Sequence, residues 1–282
     1  MKITKAVITA AGKEQRKLPL QTLIDIDGQE KTVIEILLEE ILDAGVSSIA
    51  IIVHTGDIET YKKALGNYPA QLTFIEQNTP RGYGHAIYIA KDFVGNQPFL
   101  HLVGDHLYVR GNYKRCAKHI VEVAIKNECA VSAVQATREN LIPYFGVISG
   151  TRVKASHELY TIENVIEKPM PTEAEQKLIV SGLRAGYYLC FFGIHVLTPA
   201  IFGIFEKQLN ETNGNINLSD ALLILKEKEQ YLALERKDVR FDVGARYGLM
   251  KAQIALALNG KDRDQVLSEL LEFFTNRELN VK

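Results

Sequence analysis

The stretch ITKAVITAAGKEQRKLPLQTL, Ile3 to Leu23, decides how the rest of the chain is read. An apolar run, Ala6-Val7-Ile8-Thr9, meets Ala10-Ala11-Gly12, and a polar loop carrying Arg16 closes at Pro19. Short β-branched runs bounded by a small-residue break are the mark of a buried strand in a parallel sheet. Open α/β sheets bind ligands just beyond the carboxyl ends of such strands. Residues as small as Ala10, Ala11 and Gly12 let the backbone approach a nucleotide closely. The competing reading is a tight strand-to-loop turn that touches no ligand.

Outward from this stretch, strand and helix signals alternate. Thr32 to Ala44 spaces Val33, Ile34, Ile36, Leu37, Ile41 and Leu42 along one stripe, which predicts an amphipathic helix stopped by Gly45. Ser48 to Val53 and Gln71 to Glu76 are predicted strands, with a short helix from Asp57 to Leu65 between them. A turn-rich loop, Gln77 to Gly84, leads into a helix from His85 to Asp92, and the strand Phe99 to Val103 ends at Gly104-Asp105-His106. In the second half, Ala130 to Ala136, Glu158 to Glu167 and Ala185 to Val196 have strand patterns. Asn217 to Lys226 begins a helix with Ser219 as its expected cap, and Arg240 to Gly244 ends a strand. Two amphipathic helices, divided at Asn259-Gly260, run from Tyr247 to Phe274; their apolar side could serve an interface or pack on the core. This pattern predicts an α/β protein with a mixed, mostly parallel sheet flanked by helices.

Composition excludes several classes. The 282 residues are 46% hydrophobic and 24% charged with a net charge of −1, which gives no basic footprint for nucleic acid. No apolar run approaches the length of a membrane span, and the opening residues do not form a leader. Cys116, Cys129 and Cys190 lack C-x-x-C spacing and sit in or beside apolar runs, so buried thiols in a reducing cytoplasm are expected. A dinucleotide-binding G-x-G-x-x-G does not follow the first strand, Asp105-His106-Leu107 lacks a second Asp, and the seven His residues show no zinc spacing.

The chemistry resides in polar residues at strand ends. Asp105 and Asp242 follow separate strands, and two such carboxylates could share one Mg²⁺, which takes one or two carboxylates plus phosphate oxygens and water. Alternatively each merely caps a turn. Pro169 should restrict Lys168 to extended backbone, sending the Glu167 and Lys168 side chains in opposite directions. A carboxylate can accept from sugar hydroxyls and an ammonium can neutralise phosphate. Gln77 can both donate and accept, as a pyrimidine edge requires, and Gly82 and Gly84 permit close backbone approach.

These segments follow one another in an order that carries a resemblance. Ala10-Ala11-Gly12, Gln77-x-x-Pro80-x-Gly82-x-Gly84-His85-Ala86, Gly104-Asp105, Phe145-Gly146-Val147, Glu167-Lys168-Pro169, Gly214-x-Ile216-x-Leu218-Ser219-Asp220-Ala221 and Phe241-Asp242-Val243-Gly244 together resemble the sugar nucleotidyltransferases, in particular the bacterial UTP–glucose-1-phosphate uridylyltransferases. The resemblance implies a Rossmann-like nucleotidyltransferase domain over 1–255, with a nucleotide half to about 110, a sugar half over 111–255, and a helical extension over 256–282. It implies that Ala10, Ala11, Gly12, Lys13, Gln77 and Gly82 bind the nucleotide. Gly146, Glu167, Lys168 and Asn215 would bind the sugar phosphate, Asp105 and Asp242 would hold Mg²⁺, and Arg16 would grip the triphosphate. The implied substrates are a nucleoside triphosphate and a sugar 1-phosphate, and a homodimer or tetramer is the implied assembly.

The departures from the family pattern are informative. Where the family has G-x-G-T-R followed by a lysine, this chain has Gly12-Lys13-Glu14-Gln15-Arg16, and Leu20 falls near the lysine's place. Glu14 would add bulk and negative charge where glycine amides normally cradle phosphates. His106 replaces the family's second carboxylate and Asn215 the Glu of the Gly-x-Ile-x-Leu motif. Either Lys13 or Lys17 restores the missing cation, or the chain binds a nucleotide-sugar without turnover.

Overall fold

The computed structural model describes residues 1–14, 16–109, 115–154 and 156–279, with side chains to residue 276. Gln15 therefore lies outside the described residues. The strands are β1 (Lys5–Ala10), β2 (Thr22–Ile24), β3 (Glu30–Thr32), β4 (Ser48–His54), β5 (Gln71–Gln77), β6 (Phe99–Val103), β7 (His106–Val109), β8 (Ala130–Arg138), β9 (Gly146–Arg152), β10 (Leu159–Glu167), β11 (Tyr187–Leu197), β12 (Tyr231–Glu235) and β13 (Val239–Asp242). The helices are α1 (Val33–Asp43), α2 (Ile58–Leu65), α3 (Tyr83–Tyr88), α4 (Lys91–Val94), α5 (Cys116–Asn127), α6 (Pro171–Lys177), α7 (Ala200–Glu211), α8 (Leu218–Lys228), α9 (Gly248–Asn259) and α10 (Arg263–Leu279).

Among the described residues one nine-stranded sheet has the order β5-β4-β1-β6-β11-β8-β12-β10-β9. From β5 to β6 every neighbour is parallel. Beyond β6 the sheet is largely antiparallel, with β12 alongside β8 as the parallel exception. The sheet is mixed, as expected, and its continuous parallel part is the N-terminal one. The reason is connectivity: β9 and β10 are joined by a short loop, which suits antiparallel neighbours, whereas parallel ones need a crossover.

Strand β1 is buried on both faces, which is why its sequence is continuously apolar. Ala6, Ile8 and Ala10 enter the core under α1 and α5, while Val7 and Ala11 enter the core under α3, α7 and α8. The helix predicted from Thr32 begins one residue later, because Thr32 is its cap. Its hydroxyl accepts from the Glu35 N–H (3.3 Å) and the Glu35 carboxylate accepts from the Thr32 N–H (2.7 Å). The expected cap Ser219 is corrected to Asn217, whose Oδ1 accepts from the Asp220 N–H (2.7 Å). Ser219 has a different partner, described below.

Strands β7 and β13 form a separate antiparallel ribbon in which Asp242 stands opposite His106. The ribbon starts directly beyond the carboxyl end of β6, so it projects where the parallel part of the sheet presents its strand ends. Helix α9 packs on this ribbon, burying Ala252 and Leu256. Helix α10 lies against α9 and leaves Leu267, Leu271, Phe273 and Phe274 exposed.

Candidate active site

Two clefts open at the carboxyl ends of the parallel strands. The first, of about 470 Å³, is lined by Ala10, Ala11, Gly12 and Lys13 after β1, by Gln77 at the end of β5, and by Gly82 and Tyr83 at the start of α3. All six residues expected to meet a nucleotide line it. Gln77 is fixed by its Nε2, which donates to the Gly82 carbonyl (3.4 Å) and lies 3.1 Å from His85 Nδ1. Gly82 has φ +89°, and a Cβ there would sit 2.4 Å from the Ile216 carbonyl oxygen, so both conformation and space demand glycine. That approach is a backbone clasp: the Ile216 N–H donates to the Arg81 carbonyl (2.9 Å) and the Gly84 N–H to the Ile216 carbonyl (3.1 Å). The clasp carries Asn215 to the wall of this first cleft. Asn215, expected to meet the sugar phosphate, thus lines the same cleft as the six residues expected to meet the nucleotide, and Asn217 lines the second cleft.

The second cleft, of about 360 Å³, lies beyond the first and is lined by Gly146, Glu167, Lys168, Asn217, Ser219, Arg240 and Asp242. Gly146 and Glu167 are register partners across β9 and β10. The Ser219 hydroxyl donates to Glu167 Oε2 (2.5 Å), which fixes the carboxylate from α8. A Cβ on Gly146 would fall 2.6 Å from the Phe191 ring, 2.7 Å from Ser219 Oγ and 3.0 Å from Glu167 Oε2. Lys168 is not extended, contrary to the expectation from Pro169: its φ is +49°. Its N–H donates to the Phe145 carbonyl (3.0 Å), and this bond turns the chain over into the left-handed region. Its ammonium consequently lies 4.0 Å from Glu167 Oε1 rather than on the opposite side. A bulky residue in this conformation carries backbone strain of about 1–3 kcal/mol, which such sites store where geometry is functional.

Tyr83, Val103 and Asp105 line both clefts and mark their junction. Asp105 follows β6, and its carbonyl accepts from the Val243 N–H (2.9 Å), which brings Asp242 alongside. Burial first, and the neighbouring Asp242 charge second, push the Asp105 carboxyl up to about 6. Its Oδ1 is buried without a hydrogen-bond partner. Asp242 does cap a turn, since its Oδ1 accepts from the Gly244 (2.9 Å) and Ala245 (3.1 Å) N–H groups. Asp242 also lines the second cleft. An orphaned buried oxygen beside a second carboxylate is a donor set suited to a hard cation. Among the described residues no group of three or more His, Cys, Asp or Glu could hold a metal, so the remaining ligands would have to be phosphate oxygens and water. His106, in place of the family's second carboxylate, is held well below its ordinary range, at about 3, by burial and then by the Arg240 charge. It is a neutral imidazole there.

Arg16 is not among the residues lining either cleft. Its guanidinium faces His54 Nδ1 (3.2 Å) and Asp57 Oδ1 (3.7 Å), and its carbonyl accepts from the Tyr61 hydroxyl (3.0 Å). Glu14 and Lys17 are exposed and also absent from the cleft walls. The cation that the N-terminal loop gives to the first cleft is Lys13. Tyr83 and Arg240 escaped the sequence reading. Tyr83 sits between the two glycines already singled out, and Arg240 two residues before Asp242 shares its face of β13, so spacing alone could have marked both.

A family model described as nucleotidyl transferase matches residues 5–258. The chain is 30% identical over 284 residues to UTP–glucose-1-phosphate uridylyltransferase 2 of Streptococcus pyogenes serotype M3, a match covering 91% of this chain and 91% of that protein. A crystal structure of UDP-glucose pyrophosphorylase complexed with UDP-glucose is similar with a TM-score of 0.72 at 25% identity, covering 90% of this chain and 98% of that one. A UTP-bound UGPase from Acinetobacter baumannii shares the fold with a TM-score of 0.75 at 22% identity, over 100% of both chains.

Proposed function

This chain belongs to the nucleotidyl transferase family, and from that premise we propose that it joins a nucleoside triphosphate, UTP first among them, to a hexose 1-phosphate, with glucose 1-phosphate the first candidate. The products would be a nucleotide-sugar and pyrophosphate. An oxygen of the sugar phosphate attacks the α-phosphorus while the bond to the β-phosphate oxygen breaks, and no enzyme nucleophile is required. Such transfer depends on positioning and charge neutralisation.

The observation that carries this reading is Asp105 at the meeting point of the two clefts, its buried Oδ1 unpartnered and Asp242 beside it. Nucleotidyl transfer in this family generally uses a divalent metal, and we assign Mg²⁺ to Asp105 and Asp242. Bound there, it would neutralise phosphate charge as pyrophosphate leaves. Ala10, Ala11 and Gly12 would lie against base and ribose, with Gln77 and Gly82 reading the base edge. Lys13 would meet the phosphates. Glu167 and Gly146 would contact the sugar and Lys168 its phosphate, while Asn215 would act from the nucleotide side. Arg16 keeps its expected role at the triphosphate only by leaving Asp57 and His54. We place the reaction in the cytoplasm, in keeping with three buried free thiols, Cys116, Cys129 and Cys190.

Pyrophosphate release, measured with Mg²⁺ across nucleoside triphosphates and sugar 1-phosphates, tests the assignment. Release with UTP and glucose 1-phosphate is the expected result. Silence with every pair, alongside binding of UDP-glucose, would make the chain a nucleotide-sugar-binding module instead. Within the same assay Gly146→Ala should raise KM for the sugar phosphate about tenfold or more, because the new methyl displaces Glu167 and Ser219 from their contact. KM for the triphosphate should stay nearly constant.

A further inference from the structure

Three cationic side chains of Lys or Arg line the clefts among the described residues: Lys13 in the first, and Lys168 and Arg240 in the second. Lys168 has Glu167 at 4.0 Å. Among the described residues no carboxylate makes an ion-pair contact with Arg240. Its guanidinium stacks over the Phe145 ring, 3.8 Å from the centroid, and its Nη1 donates to the Phe191 carbonyl. Both of those residues border Gly146 or line the sugar-side cleft. Across the ribbon, the residue opposite Arg240 is Tyr108. Arginine stays charged under all relevant conditions, and a partly desolvated guanidinium with no carboxylate in direct contact among the described residues is costly even with the Asp242 charge nearby. Such a group is stabilised when an anion enters beside it.

Its position says which anion. Arg240 and Asp242 share one face of β13, so the guanidinium lies next to the carboxylate assigned to the metal. On its other side, Phe145 connects it directly to Gly146, the wall against which the sugar would lie. The stack and the bond to Phe191 hold the planar fork at a fixed angle, which a flexible lysine stem could not match.

We propose that Arg240 is a second phosphate-binding residue of the sugar side, gripping the phosphate of the sugar 1-phosphate together with Lys168 and fixing its attacking oxygen. The proposal rests on the transferase reading for the identity of that ligand. Its test measures binding, so the two can fail separately.

Calorimetric titration of the full chain with glucose 1-phosphate, UDP-glucose and UTP, with Mg²⁺ present, compares wild type, Arg240→Gln and Arg240→Lys. Arg240→Gln should weaken glucose 1-phosphate and UDP-glucose by about tenfold or more while UTP affinity changes by less than about twofold. Arg240→Lys should recover part of the loss, since charge returns without the fork. Equal weakening of all three ligands with a lowered thermal midpoint would show a structural role and overturn the proposal, as would unchanged affinity for glucose 1-phosphate. Should Arg240→Gln not fold, the wild type is treated with phenylglyoxal and the adduct at Arg240 followed by mass spectrometry. Protection by glucose 1-phosphate but not by glucose supports the assignment, and its absence overturns it. A wild type that binds glucose 1-phosphate but releases no pyrophosphate would sink the transferase reading and leave Arg240 in place.

Discussion

Asp105→Asn should lower kcat by about 10³-fold or more while raising the thermal midpoint of the metal-free protein. The two effects have one origin. The carboxylate at the cleft junction is desolvated and faces the Asp242 charge, which lifts its pKa from 3.8 to about 6. A carboxyl that holds its proton more tightly when folded loses stability as pH rises from the unfolded value through the folded one. Above about pH 6 the penalty is fully present, and it is absent below about pH 4. Asparagine removes the charge and keeps the shape. The gain in the metal-free protein at pH 8 should therefore be about 1–3 kcal/mol, or a few degrees in midpoint, and should vanish near pH 4. Mg²⁺ should raise the midpoint of the wild type and leave that of Asp105→Asn unmoved, because binding to the folded state alone stabilises it. Thermal unfolding in chelator and in Mg²⁺, at both pH values, checks all of this. An Asp105→Asn protein no more stable than wild type at pH 8 would contradict the electrostatic origin, and one that turns over normally would remove Asp105 from the chemistry.

How far the sequence foretold this arrangement depended on whether the signal was local. The strand Lys5–Ala10 was legible because burial on both faces leaves an unbroken apolar run, and its exit was legible because Ala10, Ala11 and Gly12 are small where the chain meets the cleft. Asp105 and Asp242 could be paired because each ends a strand in a motif of recognisable order, although the ribbon that joins them is a tertiary fact. Lys168 was misjudged for a physical reason. The rule that proline holds its predecessor extended is a steric preference, and the bond from the Lys168 N–H to the carbonyl of Phe145, the residue just before β9, overrides it. Which cleft Asn215 lines could not be read from spacing either, since it is set by the clasp between Arg81, Gly84 and Ile216. Ser219 looked like a cap because serine favours that place, but Asn217 holds it and frees the serine hydroxyl for Glu167.

The loop after β1 is where spacing was least informative and where the second large effect is expected. Lys13→Ala should lower kcat/KM for the triphosphate by about 10²-fold, with Arg16→Ala costing clearly less. Lys13 lines the cleft beside Gly12, whereas the Arg16 guanidinium is spent on Asp57 and His54 at the junction of β4 and α2. Charge neutralisation falls steeply with distance, so an ammonium at the cleft wall outweighs a guanidinium already paired elsewhere. Glu14 is exposed and points no charge into the cleft, which removes the repulsion its position in the motif implied. Steady-state kinetics of both variants, with the triphosphate varied at saturating sugar phosphate, decide the matter. A larger loss for Arg16→Ala would mean that substrate draws Arg16 away from Asp57 and that the loop rearranges during the cycle. Asp57→Ala separates these cases: it frees Arg16 and should raise activity only if that rearrangement is required.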